Sequence, residues 1–90
     1  MKVVVTQEHI DKGVKGEHAD CPIALAVKAL GYKNVSVDAE SIDASDGVGG
    51  ASFFGYLPDE AALFIGMFDN GEDEVAPFTF EPDESEERRG

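Results

Sequence analysis

The chain has 90 residues, 42% of them apolar, which suffices for one small domain but not for two independent cores. No apolar run approaches the roughly 18 to 20 residues of a membrane span, and the opening segment lacks the apolar stretch of a secretory signal. One cysteine cannot build a disulfide framework, so we expect a cytoplasmic protein without disulfides, with a net charge of −12 from 19 acidic and 7 basic residues.

The first elements along the chain are a short strand and a short helix. Residues 2–6 are rich in β-branched side chains, which favour a strand. Thr6 can then cap a helical turn over residues 7–12, and Gly13 can end it. A loop follows.

A second helix is predicted from Asp20, read as the N-cap, with Pro22 in the first turn, where its missing N–H is not needed. It continues to about Leu30, and Gly31 closes it. Three apolar side chains at helical spacing are expected to face the core: Ile23, Val27 and Leu30.

The middle of the chain is predicted to be mostly strand. Residues 32–38 alternate, with Val35 and Val37 inward and polar side chains between them. Residues 41–43 can add a short strand, and the glycine-rich segment 46–50 predicts a flexible turn.

An aromatic strand and a long helix come next. Residues 51–57 predict a strand with Phe54 and Tyr56 on the same face. The helix opens at Pro58 and ends at Asn70, which with the following glycine is a strong C-cap signal. Its spacing predicts four core residues: Ala61, Phe64, Ile65 and Phe68.

The remaining residues complete one compact domain over residues 1–81. Residues 75–80 predict a last strand with Phe78 and Phe80 on one face, at an edge because of Pro77. Residues 82–90 contain no apolar side chain and are predicted to be an acidic disordered tail. The expected fold is α+β, in the order β-α-β-β-α-β, with two helices packed on a mostly antiparallel sheet.

The negative charge is concentrated in one half of the sequence. Residues 34–87 contain fifteen acidic residues and no Lys or Arg. Such a half repels nucleic-acid phosphates and anionic membranes, so we expect neither as a direct partner. Two readings stay open: a solvated surface that keeps the protein soluble, or a surface that binds a basic protein, in one version by mimicking DNA.

Catalytic and metal chemistry depends on few side chains. A small thiol or metal enzyme would have to use Cys21 with His9 or His18, but no paired-cysteine spacing, third orienting group or oxyanion loop accompanies them. The segment 46–50 lacks the residues that make a glycine-rich loop bind phosphate. We therefore expect no enzyme activity, no metal and no cofactor.

The long helix also has apolar side chains away from its predicted core face. Leu63 and Met67 lie to one side of that stripe, beside Glu60. Either other parts of the chain cover them, or they form an apolar spot within an acidic surround, as small protein-binding surfaces do.

Two sequence blocks resemble small uncharacterised proteins of phages that infect actinobacteria. The first is CPIALAVKAL, which follows an HI-x-x-G turn and precedes a VSV strand; the second is F-D-x-G with the V-x-P-F-x-F ending. The resemblance covers about half of the chain and implies a phage protein with an accessory or host-directed role in the host cytoplasm. It carries no catalytic residues.

The sequence thus predicts a non-enzymatic acidic protein that binds, and modulates or inhibits, a host or phage protein with a basic surface. The predicted contact residues are carboxylates of the segments 38–46 and 69–74 together with the apolar pair on the long helix. They are Asp38, Glu40, Asp43, Asp46, Leu63, Met67, Asp69, Glu72, Asp73 and Glu74.

Overall fold

The strands form two antiparallel sheets in a computed structural model that describes residues 2–17, 19–71 and 75–84. The elements in chain order are β1 (Val3–Val5), α1 (Gln7–Lys12), α2 (Pro22–Lys28), β2 (Asn34–Val37), β3 (Ser41–Ser45), β4 (Phe53–Tyr56), α3 (Asp59–Asp69), β5 (Phe78–Phe80) and β6 (Asp83–Glu84). One sheet pairs β1 with β5, and the other has the order β2-β3-β4-β6.

The α+β class with antiparallel strands is therefore confirmed. The details differ from the predicted single sheet with two helices. β1 pairs with β5 alone, which makes a second sheet, and the turn over residues 7–12 is a complete short helix. The short strand expected at 41–43 is longer and lies inside the larger sheet, and the glycine-rich segment contains a 3-10 turn, Val48–Gly50.

A reciprocal cap fixes the start of α1. The Thr6 hydroxyl accepts a hydrogen bond from the His9 N–H at 3.3 Å, and the Thr6 N–H donates to Nδ1 of His9 at 3.1 Å. Both backbone donors would otherwise lack an intrahelical partner. The capping role predicted for Thr6 is confirmed, and the structure assigns His9 a structural partner that the sequence reading did not give it.

The start and end of α2 correct two predictions. The N-cap is Cys21, whose Sγ accepts from the Ala24 N–H at 3.4 Å, whereas Asp20 lies 3.6 Å from the Lys28 ammonium. Pro22 is the first helical residue and favours extended backbone at the residue before it, which is the conformation of an N-cap. The helix ends at Lys28, so the helical spacing no longer holds at Leu30, and that side chain is 44% exposed rather than in the core.

The core lies between the helices and the inner faces of both sheets. The four core residues predicted on α3 are all buried, as are Val35 and Val37 of β2. The Phe64 ring lies 4.8 Å from that of Phe78, which joins α3 to the two-stranded sheet. The buried set is Val3, Val5, Cys21, Ile23, Ala24, Ala26, Val27, Val35, Val37, Ile42, Ala44, Phe53, Ala61, Phe64, Ile65, Phe68 and Phe80.

The ordered domain extends beyond residue 81, which corrects the predicted boundary of the tail. Pro82 is buried, and Asp83 and Glu84 pair with Tyr56 and Gly55 of β4. The prediction missed this strand because a two-residue strand is held by main-chain hydrogen bonds and needs no apolar pattern. Residues 85–90, the rest of the predicted tail, lie outside the described residues.

We expect a chain that ends at Glu81 to be less stable than one that ends at Glu84. The shorter chain loses the buried Pro82 and the pairing of β6 with β4, which together should lower the free energy of unfolding by about 1 to 2 kcal/mol. Urea denaturation of the two truncated chains measures the difference. Equal midpoints would show that β6 adds nothing to the stability of the sheet.

Candidate protein-binding surface

Every acidic side chain whose exposure is described between residues 34 and 83 lies on the surface. The nine are Asp38, Glu40, Asp43, Asp46, Asp59, Glu60, Asp69, Glu81 and Asp83. They occupy different parts of the fold, from the turn between β2 and β3 to strand β6.

Asp38 and Glu40 belong to the turn between β2 and β3. One Asp38 oxygen accepts hydrogen bonds from the backbone N–H of Glu40 at 2.8 Å and of Ser41 at 2.7 Å, and also from the Ser41 hydroxyl at 3.1 Å. Such an Asx turn fixes the hairpin. Asp38 therefore has a structural function in addition to its charge.

Asp46 lies at the other end of β3, so the predicted acidic segment 38–46 is not one contiguous patch. Its carboxylate accepts a hydrogen bond from the Asn34 side chain at 2.6 Å, and its backbone has a positive φ of 57°. A strand rises about 3.3 Å per residue, so the five residues of β3 separate this carboxylate from the Asp38 turn. Asp43 lies between them and points to solvent.

The apolar spot predicted on α3 is present only in part. Leu63 is 65% exposed, whereas Met67 is half-buried. Asp69 ends the helix, and one of its oxygens accepts from the Gly16 N–H at 3.1 Å. Glu72, Asp73 and Glu74 lie outside the described residues.

A surface that the sequence reading did not single out lies on the solvent side of β3, β4 and β6. Asp43 is opposite Phe54, and Tyr56 is opposite Asp83. The Phe54 and Tyr56 rings make an edge-to-face contact with centroids 5.5 Å apart, and Tyr56 is 44% exposed. We call these four residues the aromatic–acidic face. Their strand alternation correctly predicted the shared side of the two rings, but only the pairing with β6 brings Asp83 beside them.

A cleft of about 240 Å³ lies between the loop after α1, the end of β2 and α3. Three exposed carboxylates and three buried apolar side chains contribute to its lining. The residues that line it are Gly16, Glu17, Cys21, Val37, Asp38, Ala39, Ile65 and Asp69. The cleft brings together Asp38 and Asp69 from the two predicted acidic segments.

Cys21 is not arranged as a nucleophile. Only 3% of the residue is exposed, and burial raises the pKa of its thiol. Because the thiolate is the reactive form, a raised pKa keeps this sulfur protonated at neutral pH. His9 belongs to the cap of α1, and His18 lies outside the described residues.

The raised pKa of Cys21 predicts a loss of stability at alkaline pH. The unfolded chain gives up the thiol proton near the ordinary pKa of 9.0, before the folded chain does, so the free energy of unfolding falls as the pH rises above that value. We expect the stability difference between wild type and Cys21→Ala to be constant below about pH 8 and to shrink above it. Urea denaturation between pH 6 and about pH 10 measures it; a constant difference throughout would contradict the raised pKa.

The described part of the chain contains neither a metal-binding cluster nor a membrane-spanning helix. Within residues 2–17, 19–71 and 75–84, no group of three or more His, Cys, Asp or Glu side chains is arranged to hold a metal ion. Among the same residues, no helix is long and apolar enough to cross a membrane.

Comparisons of the chain with protein-family models, with curated proteins and with solved structures give no match. The resemblance to phage proteins of actinobacteria stays a prediction. The surface described above is therefore interpreted from its own geometry and charge.

Proposed function

We propose that this protein is a non-enzymatic binding protein that attaches to a protein with a basic surface and modulates or inhibits it. The observation that carries the proposal is the aromatic–acidic face, in which the exposed Tyr56 contacts the half-buried Phe54 and each ring has a carboxylate opposite it. This face replaces the dispersed set of carboxylates predicted from the sequence as the centre of the contact.

The two rings supply the kind of side chain on which protein interfaces depend. Tyrosine is enriched among the residues that contribute most to binding, because it buries a large rigid area and keeps a polar hydroxyl. Lys and Arg side chains of a partner can stack on such rings and pair with Asp43 or Asp83. The aromatic rings and the two carboxylates together favour a basic partner over a neutral one.

The remaining charge favours rapid association with such a partner. The exposed carboxylates of residues 34–83 create a negative potential that extends beyond the contact itself. Long-range attraction of this kind mainly raises the association rate, and salt screens it over a Debye length of roughly 8 Å at physiological ionic strength. The acidic half therefore supports binding without having to lie in the interface.

DNA mimicry is the second candidate, supported by the 54-residue stretch from 34 to 87 that has no Lys or Arg. A mimic would occupy the groove in which its partner binds nucleic acid, and nucleic acid would then compete with it. A phage origin, as the sequence resemblance implies, suits either version, because both act on a host or phage protein.

Capture from an actinobacterial lysate, with the bound proteins identified by mass spectrometry, tests the proposal. We expect a basic protein to be retained by wild type and by Asp11→Asn, which removes one charge from α1, but lost with Tyr56→Ala. For the purified partner, Tyr56→Ala should weaken binding by about 2 kcal/mol, roughly thirtyfold. Equal retention by all three forms would contradict the assigned face, and competition by duplex DNA would identify a mimic.

A further inference from the structure

β2 is an outer strand of the four-stranded sheet and contains neither the proline nor the charged side chains that often protect such strands. The outer strand on the other side, β6, has two residues, both acidic, and β5 lies between Pro77 and Pro82. Proline, charge and short length all hinder the addition of another strand. β2 has four residues, Asn34–Val37, with no proline and no charged side chain.

The main-chain groups on the free side of β2 belong to its two buried valines. The Asp38 N–H donates to the Ser41 carbonyl at 3.0 Å, so the backbone of this residue is directed towards β3. Hydrogen-bonding direction alternates along an antiparallel strand, which directs the N–H and C=O groups of Val35 and Val37 away from β3. The main-chain groups of these two residues can therefore form the hydrogen bonds that would pair an added strand with β2.

Two cavities border β2, and the loop between α1 and α2 lines both. Val37 and Gly16 are among the residues that line the cleft of about 240 Å³. Val35 and Ala19 are among the residues that line a second cavity of about 400 Å³. We call these two cavities beside β2 the β2 groove.

The β2 groove differs in charge between its two ends. At the Val37 end, three carboxylates line the cleft: Glu17, Asp38 and Asp69. At the Asn34 end, Lys28, Lys33 and Asp43 line the second cavity, and the Lys28 ammonium lies 3.6 Å from a carboxylate oxygen of Asp20. An occupant that runs antiparallel to β2 would have its N-terminal end near the three carboxylates and its C-terminal end near Lys33.

We propose that the β2 groove binds an extended peptide segment of a protein partner by strand addition, with a basic side chain towards its N-terminus and an acidic one towards its C-terminus. The segment pairs with the main-chain groups of Val35 and Val37, and the charges at the two ends set its direction. This inference rests on the proposed function as a binding protein and adds a second contact, separate from the aromatic–acidic face.

Two synthetic peptides of identical composition test the groove on the full chain: acetyl-KVTVTVE-amide and acetyl-EVTVTVK-amide. We expect the first, titrated to millimolar concentration, to shift the backbone amide NMR signals of Val35, Val37 and Ala19, and to bind about tenfold more tightly than the second. The absence of shifts at these residues with either peptide, or shifts of equal size and affinity with both, would overturn the proposal.

A charge exchange provides the matched variant. Glu17→Lys with Lys33→Glu changes two exposed side chains and leaves the buried valines and the Asp38 turn in place. The preference between the two peptides should reverse in this double variant. An unchanged preference would show that the ends of the groove do not orient the peptide and would overturn the assigned direction.

The outcome separates this inference from the proposed function. A protein partner that is lost with Tyr56→Ala but retained by the double variant, together with no peptide binding, rejects the groove alone. Peptide binding at Val35 and Val37 without any partner that depends on Tyr56 rejects the aromatic–acidic face alone.

Discussion

Replacing Phe64 with alanine is expected to lower the free energy of unfolding by about 3 to 5 kcal/mol. The ring is buried and lies 4.8 Å from Phe78 and 6.2 Å from Phe68, so its removal leaves a cavity between α3 and the two-stranded sheet. A domain of this size is stabilised by roughly 5 to 15 kcal/mol in total, so a large part of the stability is lost. Chemical denaturation followed by circular dichroism measures the change.

Leu63→Ala is the matched control for Phe64→Ala, since the two side chains are adjacent on α3. Leu63 is 65% exposed, so its truncation removes little buried area and should change the free energy of unfolding by less than about 0.5 kcal/mol. If Leu63→Ala destabilised the protein more than Phe64→Ala, the side of α3 that carries Phe64 would not be its buried side.

Gly55→Ala should destabilise the protein, with an expected loss of about 1 to 3 kcal/mol in the free energy of unfolding. A β-carbon at this position would lie 2.6 Å from the Phe53 ring and 2.9 Å from the Asp83 carbonyl oxygen. The ring can rotate, but the carbonyl belongs to the backbone of the chain that pairs with β4. Relief of the contact therefore moves β6 and, with it, the Asp83 carboxylate of the aromatic–acidic face.

Gly66→Ala is the same chemical change, but it is expected to raise the stability of the protein rather than lower it. Gly66 lies on the exposed side of α3, and a β-carbon there meets no atom within 4 Å outside the helix. Alanine favours the helix by up to about 1 kcal/mol over glycine, so this variant should be more stable than wild type. Thermal unfolding of both variants decides the matter: equal effects of the two changes would mean that space around Gly55 does not limit β4.

The elements that the sequence predicts well are those whose signal is local and periodic. The helical spacing of Ala61, Phe64 and Phe68 gives the buried side of α3, and the alternation of Val35 and Val37 gives the buried side of β2. Thr6 is recognised as a cap because its hydroxyl acts within one helical turn. In each case the interaction partners are within a few residues of each other.

The features that the sequence does not predict depend on distant parts of the chain or on a shift of one residue. Asp83 joins the aromatic–acidic face only through its pairing with Tyr56. Main-chain pairing of this kind cannot be recognised from the pattern of apolar and polar side chains in the sequence. Asp20 is a better capping residue than Cys21 by general preference, but the position of Pro22 as the first helical residue decides between them. The charge of the candidate surface and the shared side of its two aromatic rings were therefore predictable. The full set of residues that form the surface was not.

The pairing of β1 with β5 has a consequence for synthesis on the ribosome. Val3 and Val5 are almost fully buried, but their strand partners, Phe80 and Phe78, are made more than seventy residues later. Contacts of such sequence separation close late, because the entropy of a long loop has to be overcome before the pairing stabilises the chain. The first strand of the nascent protein therefore stays unpaired until Phe78 and Phe80 have left the ribosome, and this domain cannot complete its fold before then.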